Sequence, residues 1–551
     1  MIAQPGPRTR RPGPKRGAHG PLASARRPPA LLGRSTGLAR AAGGVLVLLL
    51  WSGCAAADQR SERAAASLDH ATAYFRDEVA VDGSYLWRYS ADLSYRRGEG
   101  LATPHQGWVQ PPGTPAVGMA YLQAYAATGD RSHLDGAIEA AHALAATQLQ
   151  SGGWFYSMEF DPHQRETWCY RVDPAGCDDR DNRYRNSTTI DDDTSQSALR
   201  LLMLVDRALD ESDPVIHEAV TYGLERFIEA QYPNGAWSVS SHRRVPDEEA
   251  PAVGPARYPA TWSREWVEPG RGGYVTNDNA MRDMIRTFLL ADRLYGRPEY
   301  RAAAIQAGDF LLDAQMPAPQ AGWAQTYNSD LEPIWGRKFE PPAIASQETV
   351  GAIEALLDLY LYTGEERYLD AVAAALSWLE ASRLPTGDWA RFYELRTNRP
   401  LYMTREYELT YDDDDLPRHY GFRGHFGVDR VRQAYREIAD QGRDAYLAGL
   451  AGSSGRIRPA VAFNDARAVD AIIEQQDAEG RWLDDGMINS KTLIRNFREL
   501  ARYIAAQRAA EGRTPAQAIA AVADPLGTGL HAEVFGLAGP GPGGAGGGPE
   551  G

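Results

Sequence analysis

Residues 188–203 read TTIDDDTSQSALRLLM, three consecutive aspartates at the start of an apolar helix. One aspartate would serve there as an N-cap and suit the positive end of the helix dipole. Three leave carboxylates to spare, and a second acidic start, TNDNAM, follows at 276–281. Asp191, Asp192 and Asp278, with Asn279 beside them, are therefore candidate oxygen ligands for a hard cation such as Ca²⁺. Capping plus hydration is the competing explanation. A further acidic run, Asp412–Asp415 in YDDDDLPRHYGFRG, reads as a solvated loop, with a second cation site as its alternative. Cys169 and Cys177, eight apart, are expected to close a small disulfide loop if the protein is exported.

Elements that position these residues recur with a period of roughly 80. Each copy reads as helix, short turn, helix, then a Gly-Trp loop. The first helices begin near Thr114, Asp193, Asp278 and Gln347, which lie 40 to 45 residues ahead of Trp154, Trp237, Trp323 and Trp389. A fifth, weaker trace ends at EQQDAEGRW. The first helices are apolar nearly all round and should be buried, whereas the second helices are amphipathic. Turns such as TGD and TGE join antiparallel neighbours. The expected fold is all-α, an α/α toroid or incomplete α/α barrel of repeated helical hairpins. Equivalent helix starts then share one end, so Asp191, Asp192, Asp193, Asp278 and Asn279 converge on one basin. The Gly-Trp loops read as packing devices, with sugar stacking by Trp154, Trp237 and Trp323 as the lesser reading.

Composition limits the partners. The 551 residues carry a net charge of −15, yet the first forty hold nine Arg and Lys and no acid. An apolar run, AAGGVLVLLLWSGCAAADQ, comes next and is too short for an ordinary membrane span. Residues 1–57 therefore read as an export signal with a basic extension, with Cys54 in LWSGC as a possible lipid-anchor site. Residues 58–535 form the expected catalytic domain, and 536–551 a Gly/Pro-rich disordered tail. The acidic mature chain argues against nucleic acid as a partner. The protein is expected to be exported and monomeric.

Taken together, TIDDDTS, YPNGAW, TNDNAM, GWAQTYNSDLEPIWGRKFEPPAIASQETVGAI and ARFYELRTNRPLY, in order over about residues 85–430, resemble the family 10 polysaccharide lyases, which are pectate lyases. The resemblance implies an α/α toroid that cleaves polygalacturonate by Ca²⁺-assisted β-elimination with an arginine base. Asp191 matches a Ca²⁺- and substrate-binding aspartate that the family follows with asparagine; here Asp192 departs from the pattern. Asp278 matches a second acidic ligand, with Asn279 beside it for substrate. Arg337 in WGRKFE matches the catalytic arginine, with Lys338 next to it for substrate, and Arg391 and Arg405 match substrate-clamping arginines. The stretch 240–273 is longer than the family spacing and is expected to add a wall to the cleft.

The chemistry is consistent in outline. A galacturonate C5 proton lies α to a carboxylate that resists further negative charge, and a cation on that carboxylate offsets it. Arginines suit the neighbouring carboxylates through paired hydrogen bonds. An arginine base requires a cationic surround, because its pKa exceeds 12. Arg337 could also simply pair with Glu340 or Glu348. Three other functions compete. An α/α-toroid hydrolase of uronate oligosaccharides would use two carboxylates. A non-catalytic carbohydrate-binding relative would keep the fold alone. A terpene-cyclase-like protein is suggested by QYPNGAW and QDAEGRW.

Overall fold

The computed structural model describes residues 59–173, 177, 183–241, 254–269, 274–453 and 462–510. The expected leader with Cys54 and the Gly/Pro-rich tail lie outside these residues. No described helix is long and apolar enough to cross a membrane.

Four helical hairpins form the frame of an α/α toroid. They pair Thr114–Thr128 with Arg131–Ala146, Thr194–Ala208 with Pro214–Glu229, Ala280–Tyr295 with Pro298–Ala314, and Ser346–Thr363 with Glu366–Ala381. The first helix of each packs on the first helix of the next. Ser490–Ala510 extends this inner ring before the first hairpin, and Val428–Gln441 extends it after the fourth. The helix starts fall within two residues of those expected.

The first helices of the hairpins are buried on nearly every face, as Thr194 through Asp206 show. Those of the second, third and fourth hairpins also carry charges that pair inside the ring. Arg286 Nε meets Asp358 at 2.9 Å, and Arg282 reaches Asp283 and Glu354, each at 2.9 Å. Ions taken out of water persist only when paired in this way.

The Gly-Trp loops are stitches. Trp154, Trp237, Trp323, Trp389 and Trp482 each donate the indole N–H to a carbonyl near the end of the preceding helix, at 2.7–2.9 Å. Gln148, Gln231, Gln315 and Gln476 each bridge their own loop to a carbonyl of a neighbouring segment. The Gln-to-Trp strings that resembled terpene cyclases are thus a structural device. Sugar stacking by Trp154, Trp237 and Trp323 is also ruled out, because they are 1%, 2% and 0% exposed.

Short strands decorate the ring at the end where the inner helices begin. The largest set relevant to function is a four-stranded antiparallel sheet in the order Leu409–Thr410, Pro400–Met403, Phe392–Glu394, Ala343–Ala345. It runs directly into the fourth inner helix: Ser346 N–H donates to Arg391 O at 2.8 Å. Cys169 and Cys177 are joined by a disulfide, as the spacing suggested.

Candidate active site

Two tight turns precede the second and third inner helices, Asp191–Asp193 and Asn277–Asn279. Each holds two successive left-handed residues. Asp192 and Asp193 have φ 50° and 59°; Asp278 and Asn279 have φ 47° and 64°. Asp and Asn tolerate this region better than other residues with a Cβ. The backbone therefore makes Asp192 the counterpart of Asp278, and Asp193 that of Asn279. The spacing to the tryptophans had paired Asp193 with Asp278, one residue out. The shift matters, because Asp193 leaves the basin and pairs with Arg200 at 2.5 Å.

The remaining three aspartates meet as expected. One oxygen each from Asp191, Asp192 and Asp278 lies within 4.8 Å of the others. Tyr156, from the first Gly-Trp loop, donates to Asp191 Oδ2 at 3.1 Å, and Gln110 donates to Asp192 Oδ2 at 2.7 Å. Asn277 donates to Asp278 Oδ2. Lost hydration in the cleft, then the charge of Asp278, pushes Asp191 up to about 6. The same loss, with Asp278 and Asp191 as like charges, pushes Asp192 up to about 7, although Asp192 is the exposed member of the three. Three oxygen donors in mutual repulsion, with no nitrogen or sulfur among them, fit a hard divalent cation. Asn279 sits behind them against the fourth inner helix. A Cβ on Gly351 would lie 2.2 Å from its Oδ1, so glycine there is what lets the turn approach.

Arg337 faces this cluster. Its side chain is 53% exposed, and its Nε donates to Glu340 Oε1 at 2.7 Å. The Arg337 backbone N–H donates to Glu340 Oε2 at 2.8 Å, which fixes the carboxylate under the guanidinium. Phe339 and Tyr420 lie beneath it, with ring centroids at 4.9 and 5.6 Å. A base at this position requires a depressed pKa, and the surroundings do the reverse. Burial alone would lower it, but the Glu340 hydrogen bond and charge, with Tyr420 and Asp278, hold the guanidinium above its ordinary value.

Arg391 lies deeper, only 4% exposed, and donates to Glu348 at 2.8 Å and Gln347 at 2.8 Å. Tyr420 lies 4.2 Å from it, centroid to guanidinium carbon. The sequence reading offered Glu340 or Glu348 as partners of Arg337; each carboxylate has its own arginine. A hydrogen-bonded chain links the two halves of the site. Asn277, which donates to Asp278, accepts from Gln325 Nε2, and Gln325 also donates to Glu340 Oε1 at 2.7 Å. Tyr420 donates to Glu340 Oε1 at 3.2 Å. Gln110, Tyr156, Gln325 and Tyr420 were not singled out from the sequence, and Glu340 only as an ion-pair partner of Arg337. Gln325 and Glu340 do lie within the long motif around Arg337.

Two further expected substrate contacts already have partners of their own. Arg405 is exposed and bound to Asp415 at 2.6 Å, so it does not join Arg391 as a clamp in this arrangement. The Phe392–Glu394 and Pro400–Met403 strands pair antiparallel, Phe392 opposite Leu401, so the chain returns toward Arg391, and it is the Asp415 ion pair that engages Arg405. Lys338 is exposed beside Trp266, at 5.4 Å from its ring centroid. The second acidic run is an ion-paired loop: Asp413 meets Arg423 at 2.5 Å and Asp415 meets Arg405. Its aspartates form no metal-type cluster among the described residues.

No protein-family model matches this chain, and no curated protein does. Several solved structures match it. A family 10 polysaccharide lyase from Cellvibrio cellulosa aligns at 19% identity and TM-score 0.40, over 58% of this chain and 96% of that one. A mutant of that lyase in complex with a trigalacturonic acid aligns at 17% and TM-score 0.39, over 59% and 98%. An unsaturated glucuronyl hydrolase specific for heparin aligns at 10% and TM-score 0.37, over 83% and 97%.

Proposed function

We propose that this protein is a polysaccharide lyase that cleaves polygalacturonate by β-elimination, with Ca²⁺ held by Asp191, Asp192 and Asp278. The observation that carries this reading is the three-carboxylate cluster opposite a solvent-reachable arginine, joined to it through Asn277, Gln325 and Glu340. When bound, the cation would offset charge that builds on the uronate carboxylate as the C5 proton leaves. In this reading Asn279 and Arg391 bind substrate from behind the cluster, and Arg337 takes the C5 proton. The C5–H electrons form the C4–C5 double bond as the C4–oxygen bond breaks.

Glu340 sets the condition on that step. It stabilises protonated Arg337, so the base form becomes available only in alkaline medium or when substrate draws Glu340 away. Glu340→Gln is expected to move the rising limb of the pH–rate profile to lower pH. An unmoved limb would mean that Arg337 acts only as a cation. The reading also makes the protein exported, with Cys54 as a lipid-anchor site and a monomer as the working form.

A second reading has one observation in its favour. Of the carboxyls pushed up to about 6 and 7, Asp192 keeps a proton part of the time near neutrality, as the general acid of a uronate hydrolase must. Ultraviolet absorbance of polygalacturonate digests, with Ca²⁺ or chelator, separates the two. Elimination conjugates the new double bond to the carboxylate and absorbs; hydrolysis raises reducing ends alone. Cation-dependent absorbance lost in Arg337→Ala is the expected result.

A further inference from the structure

The long insertion supplies something the rest of the site lacks. Its described part, 254–269, is tied down against the Arg337 loop at several points. Trp335 Nε1 donates to Ser263 O at 2.8 Å, and Trp266 Nε1 donates to Gly336 O at 3.0 Å. Arg264 pairs with Glu394 at 2.6 Å, and Arg257 with Glu332 at 2.9 Å. Trp266 is thereby held one residue from Arg337 and beside Lys338.

Trp266 differs from every other tryptophan described. The rest are buried or half-buried, five of them in the stitches above, whereas Trp266 is 38% exposed. Its one polar group is already used on Gly336, so what it shows to solvent is ring. Lys338 stands 5.4 Å from the ring centroid, with the exposed guanidinium of Arg337 next in the chain. A fixed aromatic face flanked by cations matches one kind of ligand well. A uronate ring has an apolar C–H face to lie on the indole and a carboxylate for the ammonium.

We propose that Trp266 and Lys338 form an additional uronate subsite, supplied by the insertion and continuous with Arg337, which sets how long an oligomer the site grips. This rests on the uronate reading of the site and goes beyond it in naming a specificity device. The competing account is that Trp266 merely props the Arg337 loop through Gly336.

Initial rates on galacturonate oligomers of three to six residues test it with the full chain. KM of the unaltered protein should fall with oligomer length. Trp266→Ala should remove about tenfold of that gain, and Lys338→Met part of it, with kcat on the longest oligomer little changed. Trp266→Phe keeps a ring but loses the bond to Gly336, and should retain most of the gain. A loop prop predicts the opposite: Phe as damaging as Ala, with kcat reduced alike at every length. That result, or no effect of Trp266→Ala at all, would overturn the proposal. If the unaltered protein does not cleave polygalacturonate, calorimetry with glucuronate and mannuronate oligomers decides. Binding that Trp266→Ala weakens would keep the subsite while the lyase reading falls; no uronate binding would remove both.

Discussion

Two runs of aspartate in this chain have opposite fates. Residues 412–415 hold four acids and residues 191–193 hold three, so the first is richer in charge. Yet Asp413 and Asp415 are each taken by an arginine, and the run stays at the surface. Asp191 and Asp192 receive only a tyrosine hydroxyl and a glutamine amide, and Asp278 joins them from the next repeat. What separates a site from a solvated loop is thus that, among the described residues, no cation forms an ion pair with the acids that the backbone forces together. The left-handed turns do the forcing, and the repeat supplies the second turn.

The contrast can be broken at several points. Asp278→Ala should have the largest effect, lowering Ca²⁺ affinity and the rate of elimination each by on the order of a hundredfold or more, as read by calorimetry and absorbance. Asp193→Asn addresses the aspartate that turned inward. It should cost about 3 kcal/mol in denaturant melts by leaving buried Arg200 without its carboxylate, while Ca²⁺ affinity changes little. The pH response sharpens the comparison further. Folded Asp191 and Asp192 bind protons up to about pH 6 and 7, whereas the unfolded chain releases them near 4. Without divalent ions, this contribution to stability is present below pH 4 and lost as pH rises through 6 and 7. Thermal midpoints should show that fall, and Ca²⁺ should reverse it at pH 8. Smallest of all, Arg405→Ala and Asp414→Asn in the other run should each change stability by less than about 1 kcal/mol, with Ca²⁺ affinity unaltered.

The frame was legible because its signals are periodic. Inner helix, turn, outer helix and tryptophan recur at near-constant spacing, and the helix starts could be counted back from Trp154, Trp237, Trp323 and Trp389. The three metal-type aspartates were legible because they sit at those starts. Their exact correspondence was not, since only dihedral angles reveal that Asp192 rather than Asp193 matches Asp278. Gln325 and Tyr420 are single polar residues in loops, 95 residues apart in the chain. No local pattern marks such a meeting. The ion pair that holds Arg405 was hidden for a similar reason, because the loop between Arg405 and Asp415 brings them together. Trp266 passed unnoticed because its exposure is a property of the fold.

The most direct test of the central claim is a calorimetric Ca²⁺ titration of the protein at pH 8, beside Asp191→Ala/Asp278→Ala and Asp412→Asn/Asp414→Asn. One site that vanishes in the first variant and persists in the second is the result expected. Binding that survives loss of Asp191 and Asp278, or that depends on Asp412 and Asp414, would contradict it.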